Sequence, residues 1–444
     1  MASQINLAVS IDVGGSGTKI IYKANGWKEP QLIVMSPEVE QITKADFQRY
    51  QDNQVWNGMP LPEHQAYLEW QDSIFIVGEF ALEFAAVDRI HERKYENALY
   101  KVLAAVGVIL QKHNVAIKKR NAESPKIILD LAFLLPWNEY NDHKRFFSQL
   151  QQMFKAFKFR GQAWDITLSE NFLCRPEGAG LLGIYTKTKG VSWFQQNQVA
   201  ILMLGHRNTT LLCFDKGIRK SADSPLLGFS SLLDDVCSRV SGIVRDQLAQ
   251  AIFDALSEAK NEIYEYESPY MNTKHPNWRK LKAIQMLATA RDESLRQREL
   301  EDIVVALVAA TNAYWLRLKK WLEKNLQTWP KQIIIGGGAA AFIEPELEHY
   351  FNCVPCGTNE KKLFRGERAP SYRQKTNYSQ QEIGPYAQLV WLSEINEQIE
   401  RTFKIGFGPN QGLAFRLIDC FGMMDQLLDK TKEVVKSDKS EKTA

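Results

Sequence analysis

At 444 residues the chain is too long for one ordinary core, so two or more domains are expected. Its 55 Lys and Arg against 52 Asp and Glu leave a net charge of +3, which argues against charge-driven nucleic-acid binding as the main activity. Hydrophobic content of 45% fits a soluble globular protein, and neither an apolar run of about 18 residues nor a signal-peptide pattern occurs, so a cytoplasmic protein with no membrane partner is expected. Six scattered cysteines form no disulfide framework, and Cys353 and Cys356 make a Cys-x-x-Cys without the second pair that a zinc site needs.

The apolar stretch 5–9 leads into Ser10-Ile11-Asp12-Val13-Gly14-Gly15-Ser16-Gly17-Thr18-Lys19 and leaves through Ile20-Ile21-Tyr22. This reads as a strand with one carboxylate near its end, a glycine turn and a second strand. Such a turn exposes N–H groups to a phosphate-sized anion, and Asp12 at its mouth suits a magnesium ion or its waters. The other reading is a plain hairpin whose glycines serve only the turn. Residues 23–80 read as a strand-rich insertion, with short strands at 31–35 and 73–77. Residues 78–113 turn helical, with Ala98, Val102, Ala105, Val106 and Ile109 on one face. A buried strand covers 127–135, a helix 138–157 and a short strand 164–168.

In Glu170 to Leu182, Pro176 suits the first turn of a helix, and Gly178, Ala179 and Gly180 make that helix thin enough to pack closely on another backbone. Glu177 at its start reads either as a functional carboxylate or as a helix-end charge. The stretch 199–214 repeats the opening device: a strand, Gly205-His206-Arg207-Asn208-Thr209-Thr210, and a second strand. Residues 228–265 and 281–326 are mostly helical. A third strand and glycine turn follow at Ile333 to Ala340, with Gly336, Gly337 and Gly338 better suited to an adenine or ribose than to phosphate. The basic stretch 357–384 reads as a solvated loop. Residues 387–403 and 413–428 read as helices, and 429–444 as a disordered tail.

Three glycine turns in this order, with Pro176-Glu177-Gly178-Ala179-Gly180 between the first two, resemble the actin-like ATPase superfamily. Within it they look most like bacterial plasmid-segregation proteins of the ParM/StbA type. Residues 11–19 resemble the first phosphate loop, 176–182 the first connecting helix, 204–210 the second phosphate loop and 333–340 the adenosine loop. Residues 416–423, with Asp419 and Gly422, resemble the second connecting helix. The resemblance implies an α/β fold of two ribonuclease-H-like domains flanking a nucleotide cleft. The first domain would span 1–185, with an insertion at 23–100 and a closing C-terminal helix at 405–428. The second would span 186–404, with an insertion at 228–330.

It further implies ATP and Mg²⁺ as cofactors and self-association into filaments, with plasmid or DNA segregation through a DNA-binding adaptor rather than by direct nucleic-acid contact. Asp12 would hold the metal. Gly14, Gly15, Ser16, Gly17, Thr18 and Lys19 would hold the phosphates from one side, and Gly205, Arg207, Asn208 and Thr209 from the other. Gly336, Gly337 and Gly338 would face adenosine, and Glu177 would orient the attacking water.

One position departs from the pattern. Where the second phosphate loop begins with an aspartate, this chain has Met203, and His206 and Arg207 replace glycines. Losing a carboxylate beside a divalent cation weakens metal positioning and hydrolysis with it, whereas Arg207 or His206 is able to meet the phosphates directly. The expectation is therefore nucleotide binding with weakened ATPase turnover. Two alternatives stand beside it: a non-hydrolysing structural protein of actin-like shape, and a sugar-type kinase of the same superfamily. The kinase needs a base between the phosphate loops, for which Asp130 and Asp165 are the candidates.

Overall fold

The computed structural model describes residues 4–54, 60–87, 90, 92–113, 126–156, 158–259, 266–267, 274–326, 329–352, 387–405 and 412–441. Cys353, Cys356 and the basic stretch 357–384 lie outside them.

The first half runs β1 (Gln4–Gly14), β2 (Gly17–Ala24), β3 (Gln31–Met35), β4 (Val39–Thr43), α1 (Lys44–Asp52), β5 (Ala66–Trp70) and β6 (Ser73–Val77). A 3-10 segment, Gly78–Phe84, precedes α2 (Lys94–Lys112), and β7 (Lys126–Leu135) follows. A second 3-10 segment, Trp137–Asp142, opens α3 (His143–Phe154), and the short strands β8 (Lys158–Phe159), β9 (Gln162–Ala163), β10 (Ile166–Leu168) and β11 (Leu173–Pro176) lead to α4 (Ala179–Lys189). The second half runs α5 (Val191–Phe194), β12 (Gln198–Leu204), β13 (Thr209–Asp215), β14 (Ile218–Asp223), α6 (Phe229–Arg239) and α7 (Arg245–Ala259). After a small ribbon of β15 (Tyr266–Glu267) and β16 (Lys274–His275) come α8 (Lys282–Gln285), α9 (Glu293–Asn325), β17 (Gln332–Gly336), α10 (Gly338–Phe342) and α11 (Glu344–Asn352). The chain closes with β18 (Gln388–Val390), α12 (Ser393–Phe403) and α13 (Leu413–Glu441).

Two sheets repeat one plan. In the first the order is β10-β7-β1-β2-β3, with β11 also pairing β7; in the second it is β14-β13-β12-β17-β18. In each, the central strand pairs antiparallel with its hairpin partner and parallel with a strand that arrives much later in the chain. A parallel partner needs a crossover. Residues 25–125 and 216–331 supply those crossovers, and each carries extra structure. The first holds most of a third sheet, β4-β6-β5-β8-β9, completed by β8 and β9; the second holds α6 to α9.

Strand alternation divides the cores. Leu7, Val9, Ile11 and Val13 point from β1 to α2 and α3, where Val102, Ala105, Val106 and Ile109 are almost fully buried. Each such Val or Ile contributes about 1.5–3 kcal/mol relative to exposure. Ala8 points the other way, toward Cys420, Met423, Met424 and Leu427 of α13. In the second sheet Ala200, Leu202 and Leu204 meet α6 and α9, while Val199, Ile201 and Met203 meet α4 and α13. The long α9 keeps one face inward through Ile303, Leu307, Ala310, Tyr314, Leu318 and Leu322.

Where α4 crosses α13, the helices touch backbone to backbone. A Cβ on Gly422 would lie 2.2 Å from the Gly180 carbonyl oxygen, and one on Gly180 would lie 2.0 Å from the Asp419 carbonyl oxygen. The thin helix read from the sequence is thus explained by a second glycine on the opposing helix.

Three local expectations differ from the structure. Pro176 ends β11, opposite Leu135, instead of opening a helix; Gly178, with φ of +92°, is the residue that caps α4. Residues 388–390 form the outer parallel strand on β17, so the helix expected from 387 begins only at Ser393. The backbone of α13 stays helical to Glu441 where a disordered tail was expected; Lys and Glu are good helix formers, so that composition fits an exposed helix as well as coil. Among the described residues no helix is long and apolar enough to cross a membrane.

Replacing Gly422 with Ala should force α4 and α13 apart. The expected cost is about 1–3 kcal/mol in urea unfolding, as for other overpacked contacts; an unchanged midpoint would mean that the helices do not meet there.

Candidate functional site

The β1–β2 and β12–β13 turns face one another across a cavity of about 510 Å³, within the usual range for small-molecule sites. Its walls bring together Asp12, Gly14, Gly15, Ser16, Lys19, Glu177, Gly205, Arg207, Asn208, Gly337 and Gly338 from the sequence reading. Four further positions stand behind the wall. Gly17 and Thr18 lie in β2, with the Thr18 hydroxyl buried and unpartnered. Thr209 turns away and donates to the Leu227 carbonyl at 2.5 Å. Gly336 packs beneath Leu181 and Met203, where a Cβ would lie 2.3 Å from Leu181 Cδ2.

The glycines are needed for space. A Cβ on Gly14 would lie 2.9 Å from the Gly17 carbonyl oxygen, and one on Gly15 would lie 3.3 Å from His206 Cδ2. A Cβ on Gly337 would lie 2.2 Å from the Leu204 carbonyl oxygen, at a φ of +88°.

A chain of charges crosses the floor. Asp12 and Lys19 sit directly opposite one another on β1 and β2, and Lys19 Nζ donates to Asp12 Oδ2 at 2.7 Å. Lys94, at the first position of α2, donates to Asp12 Oδ1 at 3.1 Å and to Glu177 Oε1 at 2.6 Å. Thr210 donates to Glu177 Oε2 at 3.3 Å and shares a 2.7 Å hydrogen bond with Ser224. Burial alone would raise the Asp12 carboxyl, but the Lys19 and Lys94 ammonium groups hold it well below the usual carboxylate range. Burial likewise opposes the charge on Lys94, yet Glu177 and Asp12 keep it above the usual lysine range.

Other side chains tie the two halves together over the cavity. Arg416 of α13 donates to the Ser16 hydroxyl at 2.8 Å. Arg207 forms a 2.8 Å ion pair with Glu139, although its Nε has no partner. Within the second half, the Asn208 amide donates to the Ser224 and Pro225 carbonyls and braces the turn. Below the floor, the Asp419 carboxylate accepts the Gly178 and Gly180 N–H groups, both at 2.7 Å. Burial pushes the Asp419 carboxyl up to about 7, helped by Asp12 and Glu177 and opposed by those two N–H groups.

Lys94, Thr210 and the cavity-facing role of Arg416 were not found from sequence. A lone lysine at a helix start carries no motif, and Lys94 reaches Asp12 only through the packing of α2 on β1. Neither candidate kinase base reaches the cavity. Asp130 is buried on β7, bonded to Ser169, Asn171 and Thr431, and Asp165 precedes β10 at the far end of the sheet.

The residues fit a polyphosphate: glycines that leave room, cationic side chains aimed inward and buried donors without partners. They do not fit a divalent cation. Both Asp12 oxygens are already held by ammonium groups, and among the described residues no cluster of three acidic, His or Cys side chains suits a metal ion.

Two mixed sheets that share one strand plan, the first with β11 as a sixth strand, flank a common cleft, which is the arrangement of the actin-like α/β fold. Solved structures similar to this one include the apo ParM protein of pSK41, at 12% identity and TM-score 0.47 over 97% of this chain and 100% of that one. Ta0583, an archaeal actin homolog, is similar at 12% identity and TM-score 0.49 over 96% and 99%. Bacillus thuringiensis ParM with AMPPNP is similar at 12% identity and TM-score 0.48 over 96% and 99%. No protein-family model and no curated protein sequence matches the chain.

The raised Asp419 value has a definite sign. Its carboxyl stays protonated in the folded chain to about pH 7, whereas an unfolded aspartate ionises near pH 4. Folding stability from this group is therefore present below about pH 4 and falls as pH rises toward 7. Asp419→Asn should lose that slope in urea unfolding between pH 4 and 7, and parallel curves for the two proteins would refute the assignment.

Proposed function

We propose that the cleft binds ATP and that nucleotide binding drives self-association into filaments. The observation that carries this reading is the cavity itself, where two matched strand–turn–strand units face each other and surround Lys19, Lys94 and Arg416 with glycine backbone. Turns of this kind present N–H groups to phosphate oxygens. The third glycine turn, through Gly337 and Gly338, offers flat backbone to an adenosine. Segregation of plasmid DNA through an adaptor, in the cytoplasm, is the cellular role that the sequence resemblance implies.

Glu177 is the carboxylate placed to orient an attacking water. Held by Lys94 and Thr210, it is fixed in place but shares its charge. With Met203 apolar at the mirror position of Asp12, the expected hydrolysis is slow. A static filament, formed with ATP and released slowly, is the second reading, and Met203 is the observation that favours it.

Light scattering recorded alongside phosphate release tests both readings. Scattering that rises with ATP and decays as phosphate appears means a dynamic filament, and a rise without decay means a static one. No ATP binding, or no change in scattering, overturns the proposal. Glu177→Gln should still bind ATP and slow phosphate release by about a hundredfold or more, the range for a lost general base; an unaltered rate would remove Glu177 from the chemistry.

A further inference from the structure

Lys94 bridges Asp12, which the sequence reading assigned to the metal, and Glu177, which it assigned to the attacking water. Its ammonium group lies between the Asp12 and Glu177 carboxylates, at 3.1 Å and 2.6 Å, and its side chain is 9% exposed. With Lys19 on the other Asp12 oxygen, the four charges sum to zero before Arg416 is added. A divalent-cation site needs the reverse, an excess of oxygen donors with free lone pairs. At the position that mirrors Asp12 there is no oxygen to mend this, because Met203 is packed among Leu181, Ile201 and Leu417.

We infer that Lys94 is a tethered cation that substitutes for magnesium, so that the cleft binds a nucleoside triphosphate without a divalent metal. An ammonium group has three protons. Two are committed to Asp12 and Glu177, which leaves the third for a phosphate oxygen, while Arg416, fixed on Ser16, supplies a second positive charge at the same mouth. Asp12 then has a different task from that of a metal anchor: it fixes the Lys94 and Lys19 ammonium groups in place. Glu177 gives Lys94 its second tether. Lys94 is a positioning and anion-binding residue that no strand or turn motif announces, since it comes from α2, outside all three glycine turns.

This inference rests on the ATP-binding reading, and the test separates the two. ATP affinity is measured by equilibrium dialysis on the full-length protein, in excess Mg²⁺ and in excess EDTA. The inference expects the two dissociation constants to agree within about threefold, well under 1 kcal/mol. Binding in Mg²⁺ that weakens about tenfold or more in EDTA would overturn the inference and leave the ATP reading standing. No binding in either condition would overturn both. Lys94→Met should bind ATP at least about tenfold more weakly in EDTA, as expected for a lost charged hydrogen bond, and Mg²⁺ should recover part of that loss by occupying the freed Asp12 and Glu177 oxygens. An unweakened Lys94→Met protein in EDTA would overturn the inference even if the wild type proved metal-independent. The wild-type comparison stands alone if the variant fails to fold.

Discussion

The architecture depends on one crossing, that of α4 over α13 with Gly180 against Gly422 and the Asp419 carboxylate beneath. Two helices at backbone contact leave no room for side chains, so their usual packing is replaced by hydrogen bonds. Asp419 supplies them by accepting the Gly178 and Gly180 N–H groups, which at a helix start would otherwise have no partner. The arrangement makes a buried carboxylate tolerable and fixes the helix start to within one residue. Both central sheets rest on this pair: β1, β2 and β7 pack on α13 from one side, and β12 packs on α4 from the other.

The cleft inherits its geometry from that crossing. Glu177 immediately precedes the clasped Gly178, and its own N–H is held by the Leu135 carbonyl at 2.8 Å, so its side chain has one way to leave the backbone. It leaves toward Asp12. Two carboxylates converging in a buried space repel one another, and with burial they help keep the Asp419 carboxyl behind them protonated to about pH 7. Cations must enter that space for the fold to hold together. Lys19 comes from the neighbouring strand and Lys94 from α2, so the local electrostatic problem is solved partly by the hairpin and partly by the first crossover.

Much of this could be read from the chain. The glycine turn after Asp12 was visible because strand, turn and strand are contiguous, and β3 and β6 fall at 31–35 and 73–77 as their apolar runs indicated. Gly178 and Gly180 signalled close approach without naming the partner. Two of the misreadings share a cause: local pattern gave way to pairing. Pro176 looks like a helix opener, yet β11 sits on β7, where a strand-end proline is tolerated. Residues 388–390 look helical, yet β17 needed an outer neighbour. Lys94 was out of reach, since 82 residues separate it from Asp12 and only packing of α2 on β1 brings them together.

The two halves also show what the repeat has lost and gained. Asp12 opposes Lys19 in the first hairpin, and Met203 opposes Thr210 at the matching place in the second. An ion pair on one side is answered by a thioether and a hydroxyl on the other. An apolar Met203 in the second hairpin and Lys94 from the first crossover bias the cleft in the same direction, toward positive charge. Either change alone would leave an imbalance: a second aspartate would need a cation between the sheets, and Lys94 beside two metal-binding acids would compete with the metal. Taken together they give a cleft in which Asp12 and Glu177 are already paired. In the proposed reading, Met203 and Lys94 act in the same sense from two points in the chain, and a polyphosphate would enter a cleft that carries its own counter-charge.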